Sequence, residues 1–158
     1  MNPAANRPPP TDAPYQGGTA EQELKIVNTL DLEEEAKKVI PEGGFGYIRS
    51  GAGSEWTLRE NRAAYDRVQI EPQAATGVLD VDVSVEILGS RLSLPVMMAP
   101  CGSHGLAHVS KEIGTARAVA ASDTLMITST QANESMEDIA AANPGPKWYQ
   151  LYFPNDRG

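Results

Sequence analysis

The sequence predicts an α/β fold, the first three βα units of a (β/α)8 TIM barrel preceded by helices and a β-hairpin. Three short segments carry that expectation. Val96-Met97-Met98-Ala99, Leu125-Met126-Ile127-Thr128-Ser129 and Lys147-Trp148-Tyr149-Gln150-Leu151-Tyr152 are apolar runs that end in polar or small residues. In such barrels side chains leave the packed interior at the carboxyl ends of parallel strands and reach the βα loops, where the chemistry sits. Ser129, Gln150 and Tyr152 stand at those ends. A barrel of eight units usually needs about 250 residues, against 158 here. The sequence is therefore expected to hold the amino-terminal part of a barrel domain, over residues 23–158, and not to close it.

The elements follow in order. Residues 1–22, with Pro8-Pro9-Pro10 and Gly17-Gly18, have no periodic apolar positions and are expected to form a flexible, disordered tail. Order begins near Ile26-Val27. Thr29 or Asp31 caps a helix through Val39, with Asp31 and Glu34 at capping-box spacing, and Pro41 ends it. A short helical stretch over 44–50 precedes Gly51-Ala52-Gly53, and Ser54 caps a helix running to about Tyr65. Alternation of Val81, Val83, Val85 and Ile87, then Leu88-Gly89-Ser90-Arg91 and Leu92-Ser93-Leu94, reads as a β-hairpin. The remainder is βαβαβ: strand 96–99, helix 111–122, strand 125–129, helix 135–143, strand 147–152. The intervals from Val96 to Leu125 and from Leu125 to Lys147 exceed the roughly dozen residues that a parallel crossover requires. Near-continuous apolar strands suit burial on both faces.

Apolar residues make up 41% and charged residues 22% of the chain, enough for a core. Thirteen basic against twenty-one acidic residues give a net charge of −8, and that field repels a phosphate backbone, so no nucleic-acid partner is expected. Cys101 is the single cysteine, which fits a reducing compartment, and a cytoplasmic location is expected. The sequence has no run of eighteen apolar residues and no hydrophobic stretch of signal-peptide type, so no membrane partner is expected.

Glycine clusters at Gly43-Gly44 and Gly51-Ala52-Gly53 lack the strand, acid or Gly-Lys that a phosphate loop needs, and helix ends and turns account for them. His104 and His108 are four apart, a spacing that on a helix would let two imidazoles share a metal. Gly105 stands where a zinc-protease glutamate would be, and Gly102 and Gly105 disfavour a regular helix, so the pair is read as part of a loop and no metal is expected. Cys101, at the end of the first strand, reads as a small structural residue. Tyr47 and Tyr152 are each compatible with packing or with direct function.

Taken together, the motifs Gly43-Gly44-Phe45-Gly46-Tyr47-Ile48-Arg49-Ser50-Gly51-Ala52, Glu55-Trp56-Thr57-Leu58-Arg59-Glu60-Asn61, Met98-Ala99-Pro100, Gly105-Leu106-Ala107-His108, Gly114-Thr115-Ala116-Arg117-Ala118 and Tyr149-Gln150-Leu151-Tyr152 resemble the FMN-dependent α-hydroxy acid oxidase and dehydrogenase family. The match runs from about Ile26 to the end, and the loop over 103–108 is most similar to the bacterial L-lactate oxidase branch. The resemblance implies a (β/α)8 barrel, FMN as cofactor and a small L-2-hydroxy acid as substrate. It implies oxidation to a 2-oxo acid with oxygen as acceptor, giving hydrogen peroxide, and a homo-oligomer when complete. By the same resemblance Pro100, Cys101, Gly102, Ser129 and Gln150 contact the flavin. Tyr47 binds the substrate carboxylate, and Tyr152 binds substrate at the reacting oxygen as a catalytic group. Position 102 is usually alanine in the family, and its missing methyl is expected to widen the space beside the substrate. The family's catalytic histidine, its carboxylate-pairing arginine and its phosphate loops fall beyond the equivalent of Gly158, and His104 and His108 do not match the histidine. The isolated chain is expected to be inactive. A flavin dehydrogenase or monooxygenase on the same scaffold, or a non-catalytic or split-barrel fragment, are the alternatives.

Overall fold

The structure, a computed structural model, describes residues 17–19, 26–153 and 155. Of the expected tail, residues 1–16 and 20–22 lie outside the described residues. Residues 17–19, read from sequence as part of that tail, are instead docked on the loop that holds His108. The Gly18 N–H donates to the Ala107 carbonyl at 3.0 Å and the Val109 N–H to the Gly18 carbonyl at 3.0 Å. A Cβ on Gly17 would collide with the Gly105 carbonyl oxygen, so the absence of a side chain is what permits this approach.

Three helices follow. α1, Leu32–Val39, is preceded by a tight turn over Thr29–Asp31, where the Asn28 side chain accepts the Leu30 N–H at 3.0 Å. The capping box expected at Asp31 and Glu34 does not form. Asp31 is already in helical backbone, φ −68 and ψ −18, whereas a side chain reaches the free N–H groups of a first turn from the extended conformation. α2, Glu42–Arg49, starts directly after Pro41, and the Arg49 Nε donates to Glu33 of α1 at 2.7 Å. That hydrogen bond, and then the Glu33 charge, raise the Arg49 pKa. α3, Trp56–Ala63, is not capped by Ser54 as expected. Glu55 takes the cap position in left-handed backbone, φ 58, and its carboxylate accepts the Gly51 N–H at 3.1 Å.

The hairpin is shorter than its apolar alternation. β1, Val85–Ile87, and β2, Ser90–Leu92, pair antiparallel with Val85 opposite Leu92, and Val81 and Val83 lie exposed outside the ladder. The two-residue turn has positive φ at both Leu88 and Gly89, 47° and 75°, which is the I′ pattern whose twist matches a hairpin.

The carboxyl half holds α4, Lys111–Ala121, β3, Met126–Ser129, α5, Met136–Ala142, and β4, Lys147–Gln150. β3 and β4 are parallel, in register from Met126 opposite Lys147 to Ser129 opposite Gln150. The strand expected over 96–99 contracts to a single parallel bridge, Met98 to Met126, made by Met98 N–H to Leu125 O at 2.9 Å and Ile127 N–H to Met98 O at 3.0 Å. Val96, 59% exposed, is not held in the ladder, so the apolar run was longer than its pairing. α5 starts at Ser135, whose Oγ accepts the Asp138 N–H at 3.1 Å.

The architecture is thus α/β, with three parallel segments in the order Met98, β3, β4. The described residues close no barrel. Ala116 and Val119 of α4, Met126 of β3 and Ile139 of α5 form the buried core, with Met98, Ile113, Ala132 and Ala142 packed around it. Among the described residues no helix is long and apolar enough to cross a membrane.

Candidate functional site

At the carboxyl ends of β3 and β4 the side chains turn from apolar to polar, Met126-Ile127 giving way to Thr128-Ser129 and Trp148-Tyr149 to Gln150. Ser129 is buried, and its Oγ donates to the Gln150 Oε1 at 3.3 Å. The Thr130 N–H approaches the same oxygen at 3.4 Å, and the Gln131 N–H donates to the Ser129 Oγ at 3.1 Å. Only a carboxamide oxygen meets a backbone N–H, so the orientation of Gln150 is fixed. Its NH2 end is left to donate elsewhere, with no partner among the described residues. Thr130 also donates its hydroxyl to the Gln150 carbonyl and accepts the Tyr152 N–H at 3.1 Å.

The loop after Met98 lies beside this cluster. The Ser103 N–H donates to the Gln131 carbonyl at 3.0 Å, and Gly102 is so close that a Cβ there would stand 2.8 Å from the Gln131 Cβ and 3.1 Å from its carbonyl oxygen. Buried Glu112 ties the same two loops: its Oε1 accepts the His104 N–H at 3.3 Å and the Asn133 N–H at 3.0 Å, while the Asn133 side chain accepts the Gly105 N–H at 2.9 Å. The two histidines face different partners. His104 Nδ1 meets the Thr115 hydroxyl at 3.0 Å, whereas His108 Nδ1 accepts the Ser110 N–H at 3.1 Å. No group of three or more histidine, cysteine or acidic side chains suited to a metal occurs among the described residues.

The site residues predicted from sequence fall into two groups. Tyr47, Cys101 and Gly102 line one open cleft of about 480 Å³, between α2 and the loop after Met98. An adjoining cleft of about 290 Å³ shares Ile48, Cys101 and Gly102 and extends to His104 and His108. Ser129, Gln150 and Tyr152 form the second group, joined through Thr130. Pro100 is exposed and lines neither cleft. Gln131 links the groups through its backbone, with its N–H on Ser129 and its carbonyl on Ser103.

Thr130 and Gln131 were not singled out from sequence. The signal available was the uninterrupted polar run Ser129-Thr130-Gln131 after an apolar strand. A Cβ on Gly102 would meet Gln131, so the glycine lets the two loops approach each other, at a position that also lines both clefts.

This chain belongs to the family described as FMN-dependent dehydrogenase, whose model matches residues 36–158. It is 43% identical over 143 residues to the L-lactate oxidase of Lentilactobacillus hilgardii, covering 90% of this chain and 39% of that protein. To glycolate oxidase 3 of Arabidopsis thaliana it is 39% identical over 134 residues, 85% of this chain and 36% of that one. A solved structure described as a lactate oxidase of Pediococcus acidilactici superposes with a TM-score of 0.83 at 43% identity, covering 90% of this chain and 40% of that one. Mandelate oxidase gives a TM-score of 0.78 at 34% identity, covering 84% and 38%. The chain therefore spans about two-fifths of the length of the relatives it matches.

Proposed function

We propose that this chain is the amino-terminal part of an FMN-dependent oxidase of small L-2-hydroxy acids, lactate-like in substrate, on a (β/α)8 scaffold of which residues 23–158 supply the first three βα units. The observation that carries the reading is the meeting of Ser129, Gln150 and the Tyr152 backbone at the ends of adjacent parallel segments, in a chain of this family. The donor set suits the cofactor: the Gln150 NH2 end offers hydrogen bonds to the carbonyl oxygens at the polar edge of a flavin. Pro100 and Cys101 are exposed and Gly102 is half-buried, so all three are open to a flavin at this loop.

FMN, when bound, would supply the hydride acceptor and the route of the electrons to oxygen, with its polar edge held by Ser129 and Gln150. The residues of this chain orient and polarise. Tyr47 donates its phenol hydrogen bond to the substrate carboxylate, which fixes the acid at one end. Tyr152 places its hydroxyl at the reacting oxygen, where charge develops, so its contribution falls on the transition state. Ser129 and Gln150 would hold the polar edge of the flavin, since they meet each other at the ends of β3 and β4.

The reading is tested on the complete flavoenzyme carrying this segment. Tyr47→Phe removes one hydrogen bond to a charged group, worth about 1.5–3 kcal/mol, so the KM for L-lactate should rise at least tenfold with flavin content unchanged. An unaltered KM across several 2-hydroxy acids removes Tyr47 from the substrate site. Residues 1–158 alone, supplied with FMN, should release no hydrogen peroxide from L-lactate; stoichiometric flavin binding with turnover would overturn the partial-barrel reading.

A further inference from the structure

We propose that Thr130 is a positioning residue for Tyr152, acting through the backbone of β4, an inference that rests on the reading of Tyr152 as the group at the reacting oxygen. The parallel ladder between β3 and β4 ends at Ser129 opposite Gln150. Beyond it the chain of Leu151 and Tyr152 has no paired strand partner among the described residues, and Tyr152 is 62% exposed. Thr130 supplies the missing rung with its side chain. Its hydroxyl hydrogen goes to the Gln150 carbonyl, and its oxygen accepts the Tyr152 N–H at 3.1 Å. One hydroxyl thus uses donor and acceptor together, as the next residue of a neighbouring strand would. The Thr130 N–H meanwhile approaches the Gln150 side-chain oxygen at 3.4 Å. The three contacts bind the end of β4 from one residue, and they aim both Gln150 and Tyr152.

Serine can make the same pair of hydrogen bonds, whereas valine keeps the shape and loses both. That difference separates positioning from packing. Catalysis by a group at a reacting oxygen is sensitive to displacements of about an ångström, so loosening the rung acts on the rate of reduction more than on substrate affinity.

The experiment uses the complete flavoenzyme and follows flavin reduction by L-lactate in single turnovers, in four proteins: wild type, Thr130→Val, Tyr152→Phe and the double variant, with Thr130→Ser as a fifth. Flavin content is measured in each. Thr130→Val removes both hydrogen bonds of the hydroxyl and should slow the limiting reduction rate about fivefold, with the half-saturating lactate concentration changed less than about twofold. Thr130→Ser should restore the rate. In the Tyr152→Phe background the valine substitution should cost less than about twofold, since the hydroxyl it positions is gone. Three results overturn the proposal: a wild-type rate for Thr130→Val beside a slowed Tyr152→Phe, an equal loss in both backgrounds, or no recovery with serine. A Tyr152→Phe protein that reduces its flavin at the wild-type rate overturns the assignment of Tyr152 itself, and with it the role of Thr130, so the two failures are told apart.

Discussion

The three amino-terminal helices together bury one residue, Gly44, whereas the four residues of β3 alone bury Met126, Thr128 and Ser129. The difference lies in what stabilises each region. α1 begins with Glu33, Glu34 and Glu35 and ends with Lys37 and Lys38, a charge order that complements the helix dipole, and ion pairs at its surface join Lys38 to Glu35 and Glu33 to Arg49. Such exposed pairs contribute little. The βαβαβ half instead closes a core of its own, and its loops are tied by buried polar groups. Tyr47, Trp56 and Leu58 remain 66%, 64% and 46% exposed on the helical layer, an apolar surface of the kind that further protein covers. The candidate site is thereby split. Ser129, Gln150 and the Tyr152 backbone are held by their own half, while Tyr47 rides on helices that own little core.

The largest effect should come from the core. Ile139, fully buried between α5 and its neighbours, should lose about 2–5 kcal/mol on Ile139→Ala, whereas Leu58→Ala on α3 should lose less than about 1 kcal/mol. Urea unfolding of the two variants measures both. An equal loss would break the comparison and show that α3 is packed in solution.

A second, smaller effect should follow from Glu112→Ala. The carboxylate accepts two backbone N–H groups from different loops, and removing it should cost about 1.5–3 kcal/mol. Amide hydrogen exchange should quicken at His104 and Asn133 while α1 and α2 stay as they were. Faster exchange spread evenly over the chain would mean that Glu112 serves general stability and not these loops.

The carboxyl half was the more legible in sequence, for physical reasons. α4, α5 and β3 fell within the expected ranges because Ala116, Val119, Met126 and Ile139 are buried in the pattern that burial demands, β4 because it pairs in register with β3, and Ser135 caps α5 from extended backbone. Errors gathered where local geometry decided the outcome. Asp31 and Ser54 have capping side chains, yet a preceding turn and a left-handed Glu55 took those positions. The turn at Leu88-Gly89 lies within the expected Leu88–Arg91 but is tighter, because Leu88 adopts positive φ without being Asn or Gly and Ser90 and Arg91 already pair in β2. Val96 is apolar but lies outside the ladder. In the candidate site the strand ends were readable, since the change from apolar to polar marks them. The loop contacts of Thr130, Gln131 and Glu112 were not, because their partners are backbone groups distant in sequence, which carry no residue-type signal.

Gly102→Ala sharpens the account of the loops. The added Cβ would meet Gln131 at 2.8 Å, and its own backbone neighbours leave no flexible side-chain end to yield, so the Ser103 to Gln131 hydrogen bond must stretch. Overpacking of this size costs about 1–3 kcal/mol. Reduction rates in the complete enzyme should fall alike for short and long 2-hydroxy acids. A selective loss for the longer acids would favour the reading in which the missing methyl borders the substrate.

The smallest effect concerns the ion pair that joins the same two loops at their surface. Lys111, the first residue of α4, holds its Nζ 2.6 Å from Glu134, and this hydrogen bond, followed by the Glu134 charge, raises the lysine pKa. A pKa raised in the folded state contributes stability that is fully present below the unfolded value and is lost as pH rises through the folded one. The contribution therefore fades only on the alkaline side. Glu134→Gln should lower the Lys111 titration toward its ordinary value, read by NMR at the lysine side chain, and should leave the unfolding midpoint at neutral pH nearly unchanged because solvent screens the pair. The buried Glu112 contacts would then be what holds the loops together. A marked loss of stability at neutral pH would transfer that role to the surface pair and weaken the contrast between a half fastened by buried groups and a half fastened by exposed charges.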